Sequence, residues 1–121
     1  MIRIKRVYKS FTYAFRGLFK TLREEQNLQI QSLVALAILI LGWYLKIEKG
    51  EWLVLVLVID LVILMELINS AVERITDILK PRLDNYVKEI KDIMAAVVML
   101  ASIVAVIVGL IIFIPYLLKY L

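Results

Sequence analysis

The 121-residue chain is long enough for one small domain, and its 63% hydrophobic content and mean hydropathy of +0.89 lie well beyond the roughly 45–50% apolar usage of soluble domains. It contains neither cysteine nor histidine, which excludes disulfides, thiolate chemistry, the usual neutral-pH acid–base group and every Ser-His or Cys-His device. A net charge of +4 could suit nucleic acid, but the positions of the charges point to a membrane and to no nucleic-acid partner.

Residues 1–27 do not read as a secretory signal, because positive charge recurs from Arg3 to Arg23 with no short apolar core behind it. Val7, Phe11, Ala14, Phe15, Leu18 and Leu22 fall on one helical stripe with basic residues between them. That spacing predicts an amphipathic helix lying in the membrane interface, although a helix packed on a protein partner fits it too. Leu28–Ile47 is the first candidate span, and "KIEKGE" reads as a tight turn containing Gly50, which makes the first two spans antiparallel neighbours.

Trp52–Ala71 is the second span, interrupted by Asp60, Glu66, Asn69 and Ser70 and extending to about Leu79, where Pro81 ends the helix. A helix of about 28 residues measures roughly 42 Å. The hydrocarbon core takes only about 30 Å, so the last two turns project beyond it. Ile93–Leu118 is a third span without a charged residue. All three reach the roughly 20 residues that a crossing needs and exceed what the buried helices of a soluble bundle require. No strand-like alternation occurs, and the expected fold is an all-α membrane protein in one domain.

Lysine and arginine set the orientation. Residues 1–27 hold Arg3, Lys5, Arg6, Lys9, Arg16, Lys20 and Arg23, and the second connection holds Arg74, Lys80, Arg82, Lys88 and Lys91. The opposite side has only Lys46, Lys49 and Lys119. The positive-inside rule therefore places the N-terminus and the 72–92 segment in the cytoplasm and the C-terminus outside a multi-pass cell membrane protein.

Within the second span, Glu73 and Asp77 fall within about 20° of Glu66 on a helical wheel, with Asn69 beside them. Glu66 lies roughly 21 Å inward from Trp52, near the inner headgroup boundary where the hydroxyl of a lipid would be found. Glu73 and Asp77 continue the ladder into water. Ionisable residues inside spans are rare and usually functional, although a solvated helix end, or Glu66 pairing with Lys91 or Arg74, would also account for them. "REEQN" brings Glu24 and Glu25 to the same rim, and "KEIKD" brings Lys91 and Asp92. Oxygen-only ligands suit a hard cation such as Mg²⁺, and a carboxylate base, a hard cation and a lysine are parts that phosphoryl transfer uses. The four glycines form neither a phosphate loop nor a Gly-rich lid, so no soluble-kinase pattern is present. The residues alone reach a small membrane protein with an interfacial carboxylate site.

"ELINSAVE" (residues 66–73) with "KD" eighteen residues beyond Glu73, after a helix ending in "EEQN", resembles the prokaryotic diacylglycerol kinase family, small membrane lipid kinases that include the undecaprenol kinases. The resemblance covers nearly the whole chain, and "SFTYAFRGL", "EEQN" and "VGLIIFIP" lean toward the undecaprenol kinase branch. It implies a homotrimer with active sites between protomers, and ATP- and Mg²⁺-dependent phosphorylation of a membrane lipid alcohol in lipid or cell-envelope precursor recycling. By that resemblance Glu66 is the general base that takes the lipid hydroxyl proton, Asn69 positions the base or substrate, and Glu25 and Glu73 hold the magnesium. Arg6 and Tyr13 match nucleotide contacts, Arg6 also facing the lipid. Asp77, Arg82 and Asp84 lie near the nucleotide, Lys91 stabilises the phosphates, and Asp92 supports the site.

Two positions depart from the family pattern. Gln31 stands where an acidic residue or a histidine is expected. Asp60, on a face about 120° from Glu66, has no counterpart, and either protonation or a hydrogen bond to Gln31 or Ser102 would accommodate it. An oligomeric channel or transporter using Asp60 and Glu66 is the alternative function, though one straight pore would struggle to use both faces. A purely structural subunit would leave Glu25, Glu73 and Lys91 without a reason.

Overall fold

The computed structural model describes residues 1–82 and 84–121. Four helices account for most of the chain: α1 (Ile4–Glu24), α2 (Gln26–Leu45), α3 (Lys49–Leu79) and α4 (Asp84–Leu118). No strand occurs among the described residues. Helices α2, α3 and α4 are each long and apolar enough to cross a membrane, and the helix is the form that lets a span pair its backbone groups internally, as lipid demands; α4 carries one proline, Pro115, inside it.

The α2–α3 corner corrects one expectation. Gly50 is not in the turn but in the first turn of α3. The reversal is made at Lys46, whose φ and ψ of 54° and 54° are left-handed. There the Ile47 N–H donates to the Gly42 carbonyl at 3.2 Å and the Lys46 N–H to the Trp43 carbonyl at 3.3 Å, the pair of bonds that closes a helix in a Schellman motif. A lysine tolerates the left-handed position because Ile47 folds back onto the helix end and is buried. Helix α3 then starts on a capping box between Glu48 and Glu51. Gly42 is needed for packing: a Cβ there would meet the Trp52 ring at 3.0 Å.

The second connection also differs from its expected form. Helix α4 begins at Asp84, well before its apolar stretch, so Lys88, Lys91 and Asp92 stand on a helix instead of in a loop. Helix α3 ends at Leu79, two residues before Pro81, and α4 starts at Asp84.

Helix α4 packs chiefly along α3, while α2 meets α3 and α1 meets α2. The buried apolar cluster of Leu45, Ile47, Leu55, Ile112 and Phe113 sits at the α2–α3 corner. There the Tyr116 hydroxyl donates to Glu51, which ties the end of α4 to the start of α3. Lipid tails are as apolar as leucine, so these contacts hold the helices by close packing and hydrogen bonding more than by burial from water. The opposite end of the bundle is held by polar groups.

Candidate active site at the polar end of the bundle

Leu28 of α2 and Val87 of α4 are buried at this end beside three polar residues of α3: Glu66, Ser70 and Thr76. Glu66 is only 2% exposed within a single chain. A buried carboxylate is costly unless it is hydrogen-bonded. Gln31, about one turn along α2 from Leu28, supplies that bond, with Nε2 donating to Glu66 Oε2 at 3.3 Å. Gln31 Oε1 and Ser70 Oγ are also buried, with no hydrogen-bond partner among the described residues. Orphaned polar atoms of this kind cost about 1–3 kcal/mol each and mark places where a ligand or water is accommodated. Glu66 and Gln31 thus share one hydrogen bond between α2 and α3, with the buried Ser70 hydroxyl one turn further along α3.

Asn69 lies within hydrogen-bonding reach of Glu66, and Glu25 and Glu73 are close enough to act on it electrostatically. Local geometry explains how Glu25 arrives there. It is the single extended residue between α1 and α2, with φ −102° and ψ 113°. Its N–H donates to Thr21 O at 2.8 Å. Gln29 Nε2 donates to the carbonyls of Leu22 and Arg23 at 2.9 and 3.0 Å, sealing the end of α1. Arg74 of α3 holds Glu24 at 2.9 Å, in a pair exposed enough to contribute less than about 1 kcal/mol while still fixing the break against α3. On α3, Thr76 Oγ1 donates to the Glu73 carbonyl at 3.0 Å.

Further along, Lys91 of α4 donates to Asp77 of α3 at 2.8 Å. Asp77 stands about 37 Å from Trp52 along the helix, beyond the hydrocarbon, and the hydrogen bond and charge of Lys91 hold its carboxyl below the usual aspartate range. A hollow of about 300 Å³ opens beside this pair, lined by Lys80, Asp84, Val87, Lys88, Lys91 and Asp92.

Glu25 and Glu73 thus come near enough to Glu66 for their charges to act on it, with Asn69 within reach, while Lys91, Asp92 and Asp84 line the hollow with Asp77 at its edge. Arg6 and Tyr13 are not brought to either by their own chain. They lie about 28 and 18 Å from Glu25 along α1, exposed on a helix with no buried residue. Arg82 is exposed in the α3–α4 turn, and position 83 of that turn lies outside the described residues.

The pairings also revise the sequence reading. Arg74 and Lys91 hold Glu24 and Asp77, not Glu66. Gln31 serves Glu66 and not Asp60, which has no side-chain hydrogen bond among the described residues. Sequence reasoning did not assign site roles to Ser70, Lys80 or Lys88. In the sequence the two lysines signal orientation alone, though Lys88 stands one turn before Lys91.

Among the described residues no three acidic side chains already converge as a metal cage. Two carboxylates, from Glu25 and Glu73, are a donor set that fits Mg²⁺, which characteristically takes one or two carboxylates and completes its shell with phosphate oxygens and water.

The sequence profile described as prokaryotic diacylglycerol kinase matches residues 12–113. The chain is 34% identical over 112 residues to the undecaprenol kinase of Bacillus subtilis (strain 168), covering 93% of this chain and 91% of that protein. It is 33% identical over 111 residues to a diacylglycerol kinase of Synechocystis sp., covering 91% of this chain and 63% of that protein. A diacylglycerol kinase of Helicobacter pylori is 32% identical over 92 residues, covering 76% and 72%. With three potential spans and a buried carboxylate at one end of them, the chain belongs to the prokaryotic diacylglycerol kinase family and is a membrane lipid kinase.

Proposed function

We propose that this protein transfers the γ-phosphoryl group of Mg–ATP to undecaprenol at the cytoplasmic face of the membrane, in recycling of a cell-envelope lipid precursor. The observation that carries the reading is Glu66, buried and hydrogen-bonded by Gln31 where α2 and α3 meet. Undecaprenol is favoured over diacylglycerol because the match to an undecaprenol kinase spans nearly the full length of both chains. An apolar groove of about 190 Å³ runs from Gln31 between α2, α3 and α4, past Val34, Ile38, Ile63 and Val106, and suits a hydrocarbon chain whose hydroxyl reaches Glu66.

In this reading Glu66 accepts the proton of the lipid hydroxyl as that oxygen attacks the γ-phosphorus. The new O–P bond forms as the bond to the β-phosphate oxygen breaks, and ADP leaves with the bonding pair. Phosphoryl transfer passes through a loose transition state, so positioning and charge neutralisation supply most of the rate. Glu25 and Glu73 would hold Mg²⁺, which supplies charge neutralisation on the phosphates. Lys91 and its neighbours Lys80 and Lys88 would face the nucleotide, with Asp84 and Asp92 beside them. The first helix would lie in the cytoplasmic interface and present Arg6 and Tyr13 to a neighbouring protomer of a homotrimer, because their own chain leaves them far from Glu66. The same burial argues against an ion path, since Glu66 is enclosed while Asp60 is exposed on another face of α3.

Labelled phosphate transfer from ATP to undecaprenol, diacylglycerol and ceramide in detergent micelles tests this directly. Undecaprenol should be the preferred acceptor, and preference for diacylglycerol would refute the choice of lipid. Glu66→Gln should lose about 10²–10⁴-fold in kcat, the contribution of a positioned general base, without change in oligomeric state. Turnover at the wild-type rate by that variant would remove Glu66 as base.

A further inference from the structure

Arg74 has no role in the chemistry proposed above, yet its ion pair with Glu24 joins the two stretches of chain that carry the proposed magnesium ligands. Glu24 directly precedes Glu25, and Arg74 directly follows Glu73. The paired side chains are 2.9 Å apart. Each partner therefore stands one residue, about 3.8 Å along the backbone, from a carboxylate assigned to the metal. Among the described residues this is the one side-chain hydrogen bond that links α1 to α3.

Little else in the chain fixes that approach. Helix α1 buries none of its residues and packs mainly on α2. Glu25 is the single extended residue between them, so rotation about its backbone dihedrals swings α1 and redirects its own carboxylate. The hydrogen bonds of the Glu25 N–H and of Gln29 at this break stay within α1 and α2, and none of them reaches α3. Glu25 and Glu73 also carry like charges, which repel as they are brought together. Mg²⁺ demands nearly ideal octahedral geometry with ligands at about 2.0–2.1 Å, so it tolerates little error in where two carboxylates stand.

We propose that Arg74 is a positioning residue for the metal: by holding Glu24 it docks the α1–α2 break on α3 and keeps Glu25 within reach of Glu73. The choice of partner matters. Among the described residues neither Glu25 nor Glu73 has an ion-pair partner, so both carboxylates are left to a cation, whereas an arginine paired with either one would compete with it. Arg74 and Glu24 are each about half exposed, at 44% and 49%, which limits the effect of the pair to a few-fold. This inference rests on the reading of Glu25 and Glu73 as the magnesium ligands, and it does not depend on which lipid is phosphorylated.

Charge and position predict opposite signs, which makes the test decisive. Arg74→Glu renders the neighbourhood more negative, so charge alone would tighten a bound cation, whereas loss of docking loosens it. Mn²⁺ alone serves as the probe for Mg²⁺, its binding to the full chain in detergent micelles read from loss of the free-ion electron paramagnetic resonance signal. Arg74→Glu should weaken Mn²⁺ binding about two- to fivefold, and Arg74→Lys should keep the wild-type affinity. Glu24→Arg combined with Arg74→Glu restores the pair at unchanged net charge and should recover the affinity. The magnesium needed for half-maximal phosphate transfer should rise in Arg74→Glu, with a smaller change in kcat. Unchanged or tighter Mn²⁺ binding by Arg74→Glu, or no recovery in the exchanged pair, would overturn the positioning role. Glu73→Gln, measured alongside, separates this failure from that of the metal site: Mn²⁺ binding that survives Glu73→Gln intact would overturn the metal assignment, and the inference with it.

Discussion

Replacing Gln31 with leucine removes the one side-chain hydrogen bond from α2 to Glu66 while roughly keeping the volume of the side chain. Hydrogen bonds to charged groups contribute about 1.5–3 kcal/mol. This one, at 3.3 Å, is longer than the 2.7–2.9 Å of a strong charge-assisted bond, which puts it at the lower end, about 1.5–2 kcal/mol. If the bond serves to aim the carboxylate at the lipid hydroxyl, its loss should lower kcat about ten- to thirtyfold. The KM for ATP should stay unchanged, because Gln31 lies away from the Asp77–Lys91 hollow. Stability should move little, since the substitution also removes the orphaned Gln31 Oε1 and its desolvation cost. Phosphate transfer from ATP to undecaprenol in mixed micelles, with each substrate varied in turn, reads the first two quantities, and thermal unfolding in the same detergent reads the third. A variant that turns over at the wild-type rate would refute positioning by Gln31. One that loses activity and melting temperature together would show that the bond supports the fold instead.

Two further expectations concern other parts of the molecule. Glu73→Gln should raise the KM for Mg–ATP and shift the magnesium dependence to higher concentration, with a smaller loss of kcat than Glu66→Gln; an unchanged magnesium titration would remove Glu73 from the metal site. Gly42→Leu should destabilise the protein by about 1–3 kcal/mol through overpacking, because the first added carbon already meets the Trp52 ring at 3.0 Å. Thermal unfolding in detergent measures that cost, and an unchanged midpoint would show that the corner between α2 and α3 can relax.

Much of this protein is legible without coordinates because lipid enforces simple rules. Three long apolar runs have to be helices, since no water is available to backbone groups inside the bilayer, and the 3.6-residue period puts Glu66, Asn69, Glu73 and Asp77 on neighbouring faces of one of them. The family resemblance rests on Glu66, Asn69 and Glu73 of that helix together with the "EEQN" and "KD" segments. Which side chains pair could not be read, because helical spacing fixes faces but not the rotation of one helix against another. Gln31 was therefore open to either Asp60 or Glu66, and Arg74 and Lys91 to any of several carboxylates. Packing turned Gln31 to Glu66, gave Glu24 and Asp77 to the two cations, and left Asp60 on an uncovered face. The α2–α3 corner is the same case on a smaller scale. Glycine is the usual residue for a left-handed turn, yet Lys46 takes that conformation as Ile47 packs back beside Trp52 against Gly42.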